Sequence, residues 1–232
     1  MWRAARVADM HAETAAARTL RFAVPDWPGH LPGQHIDVRL TAEDGYTAQR
    51  SYSLSAPWDG GTVDITVQLV EDGEVSPYLV RDVEVGDNLE VRGPLGRWFV
   101  WRPEQTEPVL LIGGGSGVAP LAAIWRAHRR VPAAAMRLVY SVRAPADVYF
   151  ADELRGADAA VLYTRTAPPD DPRGAHRIDK HDLATPGWAP ADQPTCYVCG
   201  PTPFVEAVIA LLLDLGYDGA RIRAERFGAT GG

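Results

Sequence analysis

The chain has 232 residues, 46% of them apolar and 23% charged, a composition that suits one large or two small globular domains and excludes a disordered polymer. A net charge of -7 lacks the basic footprint of a nucleic-acid or anionic-membrane protein. Two cysteines, Cys196 and Cys199, are too few for a disulfide framework, a four-ligand zinc site or an iron–sulfur cluster, so no metal is expected.

The opening Met1-Trp2-Arg3-Ala4-Ala5-Arg6 runs into Asp9, His11 and Glu13 without the apolar stretch of a secretion signal, and a cytoplasmic location is expected. The first hundred residues read as strands. Ile36, Val38 and Leu40 alternate with His35, Asp37 and Arg39; Val63, Ile65, Val67 and Leu69 repeat the pattern, as do Leu89 and Val91. Turn pairs punctuate them, among them Pro32-Gly33, Asp44-Gly45, Gly60-Gly61, Asp72-Gly73 and Gly86-Asp87. Closely spaced strands of this kind predict a small antiparallel barrel or sandwich. A short helix is predicted after Ser76, an N-cap candidate with Pro77 at the first helical position.

Past Arg102-Pro103 the period changes. Val109–Ile112 is a continuous apolar strand that runs into glycines and then a helix with Leu121, Ile124, Trp125 and His128 along one side. The 18 uncharged residues from Pro108 to Trp125 match a marginal membrane span in length, but the run Gly113-Gly114-Gly115 and two prolines favour strand–turn–helix. A strand at Leu138–Ser141, a helix near Val148–Leu154 and a strand at Ala160–Thr164 follow. A Pro-rich charged loop from Ala167 to Gln193 leads to a strand at Cys196–Cys199 and a helix carrying Phe204, Val208, Leu211, Leu212 and Leu215. Alternating strands and helices predict right-handed βαβ units and a parallel sheet. The expected organisation is a β-domain over 1–104 followed by an α/β domain over 105–232.

Three segments carry chemistry. Gly113-Gly114-Gly115-Ser116-Gly117 between a strand and a helix can bring backbone N–H groups to a phosphate. It satisfies neither the strict dinucleotide pattern nor a Walker loop, and Val118 breaks the serine-hydrolase elbow around Ser116; a close-packed turn remains the alternative. Arg50-Ser51-Tyr52-Ser53-Leu54-Ser55 offers a cation, a ring and hydroxyls on one strand, against the alternative of a solvated barrel strand. Cys196-Tyr197-Val198-Cys199 looks like a dithiol, but on a strand the two residues face opposite ways about 10 Å apart, beyond the reach of about 7 Å that a disulfide allows.

Taken in order, Arg50–Ser53, Gly73–Ser76, Gly114–Gly117 and Cys199-Gly200-Pro201 resemble the motifs of the ferredoxin–NADP reductase superfamily of flavoproteins. Pro32-Gly33-Gln34, Gly93-Pro94-Leu95-Gly96 and Glu225-Arg226-Phe227 match as well, so the resemblance covers nearly the whole chain. It implies a Greek-key flavin-binding barrel followed by a nucleotide-binding α/β domain. By that resemblance Arg50 pairs with the FAD pyrophosphate, Tyr52 stacks on the flavin, Ser53 hydrogen-bonds its N5, and Leu54 belongs with them to the cofactor-binding strand. Backbone of Gln68, Leu69 and Val70 runs along the flavin, and Glu74, Val75 and Ser76 hold the pyrophosphate, which favours FAD over FMN. Gly114, Gly115, Ser116 and Gly117 meet the pyrophosphate of the nicotinamide cofactor. Cys199, Gly200 and Pro201 adjoin the nicotinamide, Glu225 lines its landing space, and Phe227 covers the flavin face as a gate. The alternative for Phe227 is a core aromatic at a chain end with Gly228–Gly232 frayed.

Arg143, Thr164, Arg165 and Arg177 lie in the loops after the second and third α/β strands, where relatives that use NADPH carry cations. NADPH is therefore expected ahead of NADH, although solvated loop arginines are the alternative. The sequence holds no cysteine-rich ferredoxin loop, so the electrons are expected to pass to a separate acceptor protein, with Arg126, Arg129 and Arg130 as a local basic patch for docking. The competing readings are a flavin reductase that releases reduced flavin and a non-catalytic flavin-binding subunit of a larger complex.

Overall fold

The computed structural model describes residues 1–132, 134–154, 156, 158–184 and 187–227. Six strands, β1 (Trp2–Thr14), β2 (Ala17–Ala23), β3 (His35–Thr41), β4 (Thr47–Ser53), β5 (Thr62–Gln68) and β6 (Asn88–Leu95), form an antiparallel sheet in the order β4-β3-β6-β1-β2-β5. The sheet closes on itself where Leu54 bridges Ile65 and the Ser55 N–H donates to the Asp64 carbonyl at 2.9 Å. Closure removes the exposed edges that an open sheet would present. Val7, Leu20, Phe22, Ile36, Val38, Val63, Ile65, Val67 and Val91 are fully buried inside, as the two-residue alternation requires.

The stretch between β5 and β6 departs from the sequence reading. Its helical piece is a π-helical turn, Tyr78–Asp82, and Ser76 does not cap it. The Ser76 hydroxyl instead accepts the Val70 N–H at 3.1 Å and is buried, so it folds the Val70–Gly73 turn rather than the helix start.

The second half holds β7 (Val109–Gly114), α1 (Val118–Arg130), β8 (Met136–Val142), β9 (Ala159–Tyr163), α2 (Lys180–Leu183), β10 (Thr195–Pro201), α3 (Thr202–Asp214) and β11 (Ile222–Phe227). Its five strands are parallel in the order β11-β10-β7-β8-β9. Both faces are covered, which is why β7 is apolar throughout: Val109 and Leu111 join a cluster with α1, Leu110 and Ile112 one with α3. The expected helix at Val148–Leu154 is absent; a 3-10 turn at Pro145–Asp147 and irregular backbone stand there. Tyr149 and Phe150 are both buried, and Phe150 takes φ +56°, so neighbouring rings point inward as no single helix face allows. The loop expected from Ala167 to Gln193 contains α2. Among the described residues no helix is long and apolar enough to cross a membrane.

Candidate functional site

The glycine turn stands at the carboxyl edge of the parallel sheet, where open α/β sheets bind ligands. Gly115–Gly117 form one 3-10 turn leading into α1, and no side chain caps either start, so backbone N–H groups there remain available to an anion. Close packing explains part of the run. A Cβ on Gly117 would sit 2.2 Å from the Cys199 carbonyl oxygen, and one on Gly114 would sit 2.6 Å from the Phe204 ring. Gly115 is different: it has φ +54° and nothing within 4 Å of the Cβ position. The turn is thus tight on its sheet side and open outward at Gly115, a cradle that fits a phosphate.

On the barrel, Arg50 and Tyr52 share one face of β4, in register with Val38 and Ile36 of β3, while Ser53 faces the other way opposite His35. Ser53 is 8% exposed, and its hydroxyl has no hydrogen-bond partner among the described residues. It is a free donor at a strand end, which fits a ring nitrogen of a flavin. Tyr52 is half-buried against the barrel core. Leu54 is fully buried, so it supports the strand from inside. Arg50 is exposed and donates to Glu74 at 2.8 Å; Glu74 also accepts from Tyr46. The Tyr46 bond and, after it, the Arg50 bond hold the Glu74 carboxyl below its usual range. Glu74 is therefore the counter-ion of Arg50, and a carboxylate does not ligate a phosphate; any phosphate contact in this segment falls to backbone N–H groups. The Leu69 and Val70 N–H groups are committed to the Ala16 carbonyl and the Ser76 hydroxyl, whereas the Gln68 side chain is exposed.

The two cysteines lie on opposite faces of β10. Cys196 belongs to the cluster under α3 and Cys199 to the one under α1, and burial pushes the Cys196 thiol up to about 12 and the Cys199 thiol well above its usual value. Neither is a reactive thiolate. Cys199 contributes its backbone, against which Gly117 packs. Beside it in the parallel ladder are the pairs Cys199–Glu225, Gly200–Arg226 and Pro201–Phe227. Burial pushes the Glu225 carboxyl up to about 7. Phe227 is partly buried and packs against the α1-side cluster; Gly228–Gly232 lie outside the described residues.

The cations expected to discriminate nucleotides converge in part. The Arg165 N–H donates to the Arg143 carbonyl at 2.9 Å, as the Thr164 N–H does to Val142, which brings both arginines to the carboxyl ends of β8 and β9. Arg143, Arg165 and Arg177 are all exposed, and none of their side chains pairs with a described residue.

The patch of Arg126, Arg129 and Arg130 expected to dock an acceptor is not a cluster of free cations. Arg126 donates to both Glu153 oxygens and to the Ser55 carbonyl, and lies over the Phe150 ring at 4.4 Å from its centroid. Arg130 donates to the Trp58 carbonyl at 3.2 Å. These two arginines join α1 to the barrel and are not free. The sequence reading also missed His35, whose register opposite Ser53 depends on a strand pairing that no local pattern reveals. It missed Arg173, one arginine among several in a loop.

Residues 4–100 match the family model of the oxidoreductase FAD-binding domain, and residues 111–209 that of the oxidoreductase NAD-binding domain. The ferredoxin reductase component of 3-ketosteroid-9-alpha-monooxygenase from Rhodococcus rhodochrous is 32% identical over 95% of this chain and 63% of its own length. A flavohemoprotein of Bordetella pertussis is 35% identical over 100% of this chain and 61% of its own. The chain thus spans about three fifths of these relatives. In structure, the FAD/NAD-binding domain of nitric oxide dioxygenase from Vibrio cholerae superposes with a TM-score of 0.86 and 29% identity, covering 97% of this chain and 98% of that one. The chain thus joins an oxidoreductase FAD-binding domain, built as a closed antiparallel barrel, to an oxidoreductase NAD-binding domain on a parallel sheet, and it belongs to the ferredoxin–NADP reductase superfamily as an FAD- and NAD(P)H-binding oxidoreductase.

Proposed function

We propose that this protein takes a hydride from NADPH onto FAD and passes the electrons singly to a separate redox protein. The observation that carries the reading is the tie between the two half-sites. The strand bearing Arg50, Tyr52 and Ser53 continues to Ser55, whose carbonyl accepts from Arg126 of α1 at 2.5 Å, and α1 starts at the glycine turn. Bound FAD supplies a two-electron acceptor that can discharge one electron at a time. The chain's own residues orient it. Arg50 exchanges Glu74 for the pyrophosphate, Tyr52 packs on the ring system, and Ser53 donates toward N5. Gly115 and Ser116 receive the dinucleotide pyrophosphate, Glu225 lines the nicotinamide space, and Phe227 gates it. Arg143, Arg165 and Arg177 favour the 2′-phosphate of NADPH, with NADH as the weaker donor. The FAD-binding unit is assigned to 1–104 and the nucleotide-binding unit to 105–232. The acceptor assignment is supported by relatives named as reductase components of oxygenase systems.

The test is anaerobic mixing of the purified protein with NADPH, read as bleaching of the flavin band, after heat release has identified the flavin. Bleaching with one FAD retained through gel filtration and single-electron reduction of ferricyanide is expected. Arg50→Ala should weaken FAD binding by about ten- to 150-fold, the value of a charge-assisted contact of about 1.5–3 kcal/mol. Flavin that washes off wild-type protein as it turns over would replace this reading with a flavin reductase, and no bleaching would leave a non-catalytic flavin subunit.

A further inference from the structure

Arg173 has no part in the mechanism above, yet among the described residues of the nucleotide-binding half its side chain makes the densest set of polar contacts. Its side chain is 15% exposed and that of its partner Asp182 is 8% exposed. Nε donates to Asp182 Oδ1 at 2.7 Å and Nη2 to Oδ2 at 2.8 Å. Nη1 donates to the Tyr163 carbonyl at 3.1 Å, and Nη2 to the His176 and Arg177 carbonyls, each at 3.1 Å. The His176 N–H returns to the Tyr163 carbonyl at 3.0 Å. Asp182 also accepts the Asp179 N–H at 2.9 Å and thereby closes the first turn of α2. The carboxylates of Asp179 and Asp182 and the ring of His176 lie close enough to hold a cation, and for Asp182 that cation is the guanidinium itself.

We propose that the Arg173–Asp182 pair is a positioning device for nucleotide discrimination: it pins the backbone of Arg177 to the end of β9, and so keeps Arg177 with Arg165 and Arg143 over the 2′-phosphate site. The inference rests on the NADPH reading above. In this half-exposed loop rich in Pro, Gly and Asp, the His176 N–H to the Tyr163 carbonyl ties the backbone to β9, and a desolvated ion pair adds little net stability over an apolar pair. What the planar five-donor fork supplies is geometry. One group here spans the carbonyls of Tyr163, Gly174, His176 and Arg177 and both oxygens of a carboxylate. A lysine keeps the charge but, as a point donor, cannot hold that arrangement.

The experiment uses the full FAD-loaded chain and two probes, 2′,5′-ADP and 5′-AMP, whose affinities are measured by calorimetry for wild type, Arg173→Lys and Asp182→Asn. Unchanged FAD content reports that each variant is folded. Wild type is expected to prefer 2′,5′-ADP, and each variant to lose about tenfold for 2′,5′-ADP, equivalent to one lost charge contact, with 5′-AMP unchanged. Equal losses for both probes would reduce the pair to a structural brace and overturn the inference, as would a preference that survives both substitutions. A wild type without any preference overturns the NADPH reading, and the inference with it.

Discussion

Glu225 shows how one residue couples the site to pH. Its carboxyl titrates near 7 in the folded protein because burial disfavours the charge, against an ordinary 4.5. A raised folded pKa means the native state binds the proton more tightly than the unfolded chain does. The stabilisation is complete below pH 4.5 and is lost as pH rises through about 7. A shift of this size is worth at most about 3 kcal/mol, and the partial exposure of the residue reduces it to about 1–2 kcal/mol. Glu225→Gln should therefore match wild type in urea midpoint at pH 4 and exceed it at pH 8. An equal difference at both pH values would show that packing, not ionisation, separates the two proteins. Which residues matter was partly legible in the sequence. Arg50, Ser53 and the glycines announce themselves by type and spacing. The residues set beside them, Glu74 as the counter-ion of Arg50 and His35 as the register neighbour of Ser53, come from other elements, and neither pairing leaves a local trace.

Elements were legible where one face is buried in a regular period. β7 is apolar and buried throughout, and in β3 and β5 the apolar positions Ile36, Val38, Val63, Ile65 and Val67 are all fully buried, while Asp37, Asp64 and Thr66 between them are buried as well, Asp37 and Asp64 held by Arg92 and Arg21. β1 was not delimited because only Ala5 and Val7 of its thirteen residues are buried and its pairing shifts register twice, leaving no period to read. β11 is an edge strand with no fully buried residue. The Val148–Leu154 segment misled because its composition is helical while Phe150 turns left-handed and gives its N–H to Glu13 of β1 at 3.0 Å. The glycine turn makes a sharper prediction at this scale. Gly117→Ala puts a methyl 2.2 Å from the Cys199 carbonyl, a clash between two backbones that must separate β10 from the turn. It should cost about 3 kcal/mol or more, in the range of severe overpacking, and abolish dinucleotide binding. Gly115→Ala meets no atom and pays only for its left-handed backbone, about 1 kcal/mol. Chemical denaturation of the two variants checks the contrast. Equal losses would mean that strain in the turn, not close approach, sets its sequence.

For the molecule as a whole, hydride transfer requires the donor and acceptor carbons and nitrogens to meet at about 3–3.5 Å, so the two domains must be held in register. A circuit of contacts does this. The Ser55 carbonyl of the barrel accepts from Arg126; Arg126 grips Glu153 and stacks on Phe150; and Phe150 returns to the barrel through Glu13. A second join lies at the other side, where Tyr197 and Arg223 both donate to the Val100 carbonyl at 3.1 and 2.8 Å. Arg126→Ala opens the first join and leaves the second. Neither the Arg50 pocket nor the glycine turn loses a contact, so FAD content and NADPH affinity should hold. The limiting rate of flavin reduction should fall about tenfold to a hundredfold, the effect of misplacing reactants by about 1 Å. Stopped-flow reduction at saturating NADPH measures that rate directly. The same variant tests the docking role that an arginine cluster on α1 suggests from sequence alone. Loss of docking would raise the acceptor concentration needed for turnover and leave reduction by NADPH untouched. A slowed reduction with unchanged acceptor dependence identifies Arg126 as the strut between the domains, and the reverse pattern would return it to the surface as a partner contact.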